Sequence, residues 1–201
     1  MKHRVVHIAE FVTCFLLASG LGLAQTTAEK RAEDDRLLEH ARAVFPQLVG
    51  SDNRARTLVA KLDTYHYDSP WQLSTTLPLA QRLLVKEWKP EDIPPLFTAC
   101  GDAAAALDGD DEKFVQIVAV LAAIKVGAPS EVESSLSELE ELGIPAFKLV
   151  AEGIGKTPAD VRRFARAGRI NSSVTAQLLL VQFTRRYERL AKKLAKQRKE
   201  R

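Results

Sequence analysis

Residues 91–107 read EDIPPLFTACGDAAAAL, and this stretch decides the fold class. Ile93, Leu96, Phe97, Cys100, Ala104 and Leu107 recur at helical spacing along one face. From Ala99 to Ala106 nearly every residue is small, so a neighbouring helix can approach closely. Downstream, Asp108-Gly-Asp-Asp-Glu112 reads as a turn followed by an acidic first helical turn, which suits the positive end of the helix dipole. The helix it opens, Asp111–Val126, is apolar from Phe114 to Ile124 except for Gln116. A helix that is apolar on all sides belongs at the centre of a bundle. Its apolar run is too short to span a bilayer.

Further along, Gly127 and Pro129 break the chain, and Ser130 with Glu133 reads as a capping box for a helix over 131–142. Gly143 ends that helix, and Pro145 opens a short one reaching about Gly153. Thr157 caps the next, with Pro158 first and Asp160 third, and Gly168 closes it. Asn171 caps a last helix expected to run unbroken to Arg201, with Leu179, Phe183, Tyr187, Leu190 and Leu194 as its stripe.

Upstream, a polar helix over 27–45 is expected to end at Pro46, and Gly50–Asn53 reads as a turn. A short helix follows over Arg54–Asp63, then a loop at Tyr65-His66-Tyr67-Asp68. Ser69 reads as an N-cap with Pro70 at the first helical position, opening a helix to about Trp88 that Pro78 should kink. No alternating strand pattern stands out. The expectation is an all-α fold: a compact domain of about eight short helices over 54–194, preceded by a polar helical extension over 25–53 and followed by a basic tail over 195–201.

Composition agrees with one globular domain plus extensions. The chain has 201 residues, 46% hydrophobic and 27% charged, which excludes global disorder. Two cysteines, Cys14 and Cys100, exclude a disulfide scaffold. Residues 1–24 read as a secretory signal peptide: Lys2 and Arg4 lead, an apolar stretch runs from Phe11, and Gly22 and Ala24 supply small residues before Gln25. Cleavage there would place the protein outside the cytoplasm, periplasmic or secreted, and leave Cys100 alone. Retention would leave it in the cytoplasm.

Candidate chemistry is sparse. Glu152-Gly-Ile-Gly-Lys-Thr157 ends like a phosphate loop, but Val150 stands where the pattern needs glycine, so a helix-to-helix turn is expected. Gly109 is misplaced for a calcium loop in Asp108–Glu112. His3, His7, His40 and His66 lack ligand-spaced partners, so no metal or cofactor is expected. Cys100 reads as a core thiol. No catalytic residue and no small-molecule substrate are proposed from spacing.

Two surfaces remain. Tyr65, His66, Tyr67 and Trp71 crowd one segment, readable as a partner patch or as packing around a helix start. Residues 185–201 carry nine basic and two acidic side chains, leaving the middle of the chain acidic. Arg185, Arg186, Arg189, Lys192, Lys193 and Lys196 could contact an anionic membrane or nucleic acid. Arg162, Arg163, Arg166 and Arg169 form a second basic cluster.

The order of several motifs resembles the N-terminal domain of phage tail tape measure proteins. The chain shows a Ser69-Pro70-Trp71 start, the helix carrying Gly101-Asp102-Ala103 to Leu107, and an apolar helix ending at Gly127. Gly143-Ile-Pro-Ala146, a Thr157-capped helix, the turn Gly168-Arg-Ile-Asn-Ser172 and a final helix with Phe183 and Tyr187 follow. The resemblance covers about residues 56–192. It implies a non-enzymatic structural protein whose partners are other proteins, tail components if the chain is phage-derived. The family's long helical ruler is absent from this sequence, so an exported or domesticated form is expected.

Overall fold

The computed structural model describes residues 6–200 along the backbone, and residues 28–197 and 200 with their side chains. Its elements are α1 (Val6–Val49), α2 (Asp52–Asp68), α3 (Leu73–Val85), α4 (Ile93–Ala106), α5 (Asp111–Val126), α6 (Val132–Glu141), α7 (Ala146–Ile154), α8 (Pro158–Arg166), α9 (Ser172–Tyr187) and α10 (Leu190–Lys199), with a 3₁₀ turn at Pro129–Glu131. Among the described residues there is no strand, so the fold is all-α. None of the described helices is long and apolar enough to cross a membrane. The signal-peptide expectation for residues 1–24 lies outside the residues described with side chains.

The centre is built as the apolar patterning requires. α5 lies against α4, α9, α6 and α3, with Phe114, Ile117, Val118, Leu121 and Ile124 buried. α4 contributes Ile93, Leu96, Phe97, Cys100, Ala103 and Ala104 to the same core. Its small residues carry both α9 and α10 close to it. The second half of α1 covers the other side, packing on α2 and α3 through buried Leu38, Ala41 and Phe45.

Two caps follow the sequence: Thr157 accepts from the Asp160 amide at 3.2 Å and Asn171 from the Val174 amide at 3.0 Å. Asp110, not singled out from the sequence, caps α5 by accepting from the Lys113 amide at 3.0 Å. Gly155 ends α7 in the left-handed region at φ 64°, so Gly153–Thr157 is a helix-to-helix turn, as expected.

Other boundaries differ. Pro46 does not end α1, which runs on to Val49. A proline removes one amide near the end of a helix, and here Gly50, at φ 69°, closes the last turn by donating to the Pro46 carbonyl at 2.9 Å. Residues 65–68 are helical rather than a loop, because α2 continues to Asp68. Ser69 is therefore the C-cap of α2, and the extended backbone that Pro70 imposes on it carries Trp71 into the core before α3 starts at Leu73. The Ser130–Glu133 capping box is replaced by the 3₁₀ turn, in which the Glu131 carboxylate accepts from the Ala128 amide at 3.1 Å. The described helices number ten rather than about eight. One of the added breaks lies inside the expected last helix, where Glu188 and Arg189 separate α9 from α10.

Candidate functional site

The break between α9 and α10 is organised by a residue on α4. Asp102 is 5% exposed, and its carboxylate accepts from the Arg189 amide at 3.0 Å and from the Ala191 amide at 2.9 Å. It is an N-cap supplied from another helix, satisfying two amides that the start of α10 leaves open. Arg189 turns the chain in the left-handed region at φ 63°, a conformation that costs a non-glycine residue about 1 kcal/mol or more. Burial pushes the Asp102 carboxyl above the usual aspartate range, while the two amides pull it back down.

Beside this cap, α2, α4, α10 and the end of α9 enclose a groove of about 790 Å³. Its walls include Thr57, Thr64, Thr98 and Thr184. Each of these hydroxyls donates back to the carbonyl four residues earlier in its own helix, leaving the methyl groups for the groove. Tyr65, Ser69 and Asp102 line it deeper down. Lys192 bridges it by pairing with Asp68 of α2 at 2.9 Å.

The aromatic cluster named from the sequence divides. Trp71 is buried and stacks on Phe114 at 5.0 Å between centroids. Tyr65 is half-buried, packs near Phe97 and Phe114, and donates its hydroxyl to the Phe97 carbonyl at 2.8 Å. Burial raises that phenol well above the ordinary tyrosine value. Tyr67 is 64% exposed. Two of the three aromatic candidates thus hold α2 and α3 onto the core, and Tyr67 faces outward.

The basic candidates lie on α9, on α10 and at the bend between them, with Arg189 and Lys192 lining the same groove as Tyr65. Arg185, Arg186, Arg189, Lys192, Lys193 and Lys196 are all exposed. Arg189 pairs with Glu188 at 3.2 Å and Lys196 with Glu200 at 3.8 Å. No ion pair joins Arg185, Arg186 or Lys193 to an acid among the described residues. The second cluster is different: Arg162 pairs with Glu140 at 3.0 Å and lies over the Phe147 ring, Arg163 with Asp160 at 2.6 Å, and Arg166 with Glu133 at 3.2 Å. Arg162 and Arg166 tie α8 to α6 and α7, and Arg163 is paired within α8 itself.

Cys100 is fully buried, and burial pushes its thiol strongly up, away from reactivity. No group of three or more metal-ligating side chains occurs among the described residues. Sequence reading missed Asp102 as a cap because its partners lie 87 and 89 residues away. The only local signal was an acidic side chain within a run of small, buried residues. Compared with known proteins, the chain matches no family model, no curated protein and no solved structure.

Proposed function

We propose that this chain is a non-enzymatic helical scaffold that acts by surface contact, a module of the kind the tape-measure resemblance implies. One observation carries the reading: the buried Asp102 carboxylate docks α10 on α4, and Lys193 of α10, like Arg185 and Arg186 of α9, stands exposed with no acid paired to it among the described residues. Glu133 and Glu140 of α6 likewise serve to hold α8 in place. Under this reading partner proteins meet the basic surface of α9 and α10, and tail components are the partners if the chain is phage-derived.

Site-specific photocrosslinking in the native cell tests this. A crosslinker at position 185 or 193 is expected to trap one defined partner, while the same group at Glu138, on the acidic helix α6, traps none. Equal trapping at both positions overturns the assignment of the surface. A hydrolytic or transfer activity that stays with the protein through purification overturns the non-enzymatic reading.

A further inference from the structure

We propose that α10 is a detachable amphipathic arm, latched by Asp102, that an anionic lipid membrane captures. The inference extends the reading of α9 and α10 as a contact surface to a second kind of partner, and it stands on the latch, the hinge and the two faces of the helix.

α10 packs on α4, with few contacts to α2. Its apolar stripe is Leu190, Ala191, Leu194 and Ala195. The two alanines are buried and the two leucines only half-buried, so the seam hides little apolar surface. What fixes the helix is the Asp102 carboxylate, holding two amides of its first turn, and the exposed Lys192–Asp68 pair at 2.9 Å. Exposed pairs of that kind contribute little.

The hinge is already bent. Glu188 and Arg189 carry the whole change of direction between α9 and α10, and Arg189 does so in the left-handed region at φ 63°. Release lets Arg189 return to ordinary backbone, so the hinge favours opening while the latch opposes it.

The two faces of α10 match a membrane surface. Residues 190–199 read LAKKLAKQRK, with the stripe turned to α4 and Lys192, Lys193 and Lys196 exposed. An interfacial helix needs an apolar face to bury and a basic face to meet lipid phosphates. While docked, α10 offers a membrane only its charge. Once released it offers the leucines as well, so a bilayer binds the open arm better than the closed one and shifts the population toward it. Nucleic acid gains nothing comparable from the stripe.

Vesicle co-sedimentation of the full-length chain tests this, using phosphatidylcholine alone and phosphatidylcholine with 30% phosphatidylserine (~30%, chosen to give a strongly negative surface). Binding is expected to the anionic vesicles only and to weaken with salt. Asp102→Ala, which opens the latch, is expected to raise the partition coefficient about tenfold. Lys193→Glu with Lys196→Glu, both exposed, is expected to lower it by at least about tenfold. Circular dichroism of each variant checks that the bundle is intact, and Asp102→Asn serves as the milder opening variant if Asp102→Ala does not fold. Unchanged binding in the opened variant overturns the latch. Equal binding to neutral vesicles assigns adsorption to another segment and overturns the proposal. Binding to a duplex oligonucleotide that rises equally on opening overturns the lipid assignment. These outcomes leave the protein-scaffold reading standing, since crosslinking at positions 185 and 193 tests that separately.

Discussion

Replacing Asp102 by alanine tests the central structural claim directly. The carboxylate satisfies the Arg189 and Ala191 amides. Hydrogen bonds to a charged acceptor are worth about 1.5–3 kcal/mol each, and losing an ordinary N-cap costs about 1 kcal/mol. The carboxylate is itself buried, and its raised pKa shows that desolvation outweighs what the two amides return to the charged form. What alanine removes is the cap, leaving two amides open, so the expected loss is that of an N-cap, about 0.5–2 kcal/mol. The remaining hold on α10 is two half-buried leucines, worth about 1 kcal/mol each, two alanines and the exposed Lys192–Asp68 pair. The loss should thus appear as local opening before it appears as global unfolding. Hydrogen exchange is the assay: amides of residues 191–199 should exchange at least about tenfold faster in Asp102→Ala, while α5 keeps its protection. Unchanged exchange in α10 would refute the cap as its anchor. The pH dependence has a definite sign. The folded-state pKa is raised, so the folded protein binds more protons than the unfolded chain in the window above the unfolded value. The contribution of Asp102 is most favourable below that value and declines as pH rises through the folded pKa. Asp102→Asn should remove this slope from a denaturation series beginning near the ordinary aspartate value, whereas a slope identical to wild type would assign it to another acid.

Four further outcomes follow from the packing. A methyl group on Gly101 would stand 2.2 Å from the Tyr65 hydroxyl and 2.5 Å from Trp71 Nε1, so Gly101→Ala should cost about 1–3 kcal/mol and alter near-ultraviolet circular dichroism, which reports both rings. Phe114 is fully buried among Tyr65, Trp71 and Phe97; Phe114→Ala should cost about 3–5 kcal/mol in urea denaturation, and a loss below about 1 kcal/mol would contradict its place in the core. Thr157→Ala removes the cap of α8 and should cost about 1 kcal/mol, measurable as a shift in the thermal midpoint. Cys100, fully buried, should resist iodoacetamide in the native protein and react once urea unfolds it, as peptide mass mapping would show; rapid native labelling would mean that the α4 face is open.

The sequence made legible what depends on near neighbours. The Thr157 and Asn171 caps each join residues three apart, so their residue types announce them. The apolar run from Phe114 to Ile124, broken by Gln116, marked α5 as a core helix, although Gln116, Ala119 and Ala123 leave it an exposed face, and the small residues of α4 announced the close approach of its neighbours. What failed did so for non-local reasons. Tyr65 reads as a loop residue until its hydroxyl is seen bonded to the Phe97 carbonyl, 32 positions away. That bond belongs to a packing arrangement that keeps α2 helical through Asp68. Pro46 reads as a terminator because sequence reasoning assigns the missing amide its full cost, whereas α1 keeps its register through the buried Phe45 beside it.

The last helix shows how the two kinds of information combine. Residues 171–201 have a continuous apolar stripe from Leu179 to Leu194, and nothing in that stretch is a helix breaker. Periodicity therefore predicts one helix, and local propensity agrees. The chain breaks instead at Glu188–Arg189 because a straight helix would lose the contact of Ala191 and Ala195 with α4 and would leave Asp102 buried without its amides. An unpaired buried carboxylate costs several kcal/mol, more than the roughly 1 kcal/mol of a left-handed arginine. The bend follows from that inequality. Arg189→Gly should consequently retain the bend and remove its strain, stabilising docked α10 by about 0.5–1 kcal/mol. Faster exchange across α10 in that variant would show that the bend is held by something other than the cap.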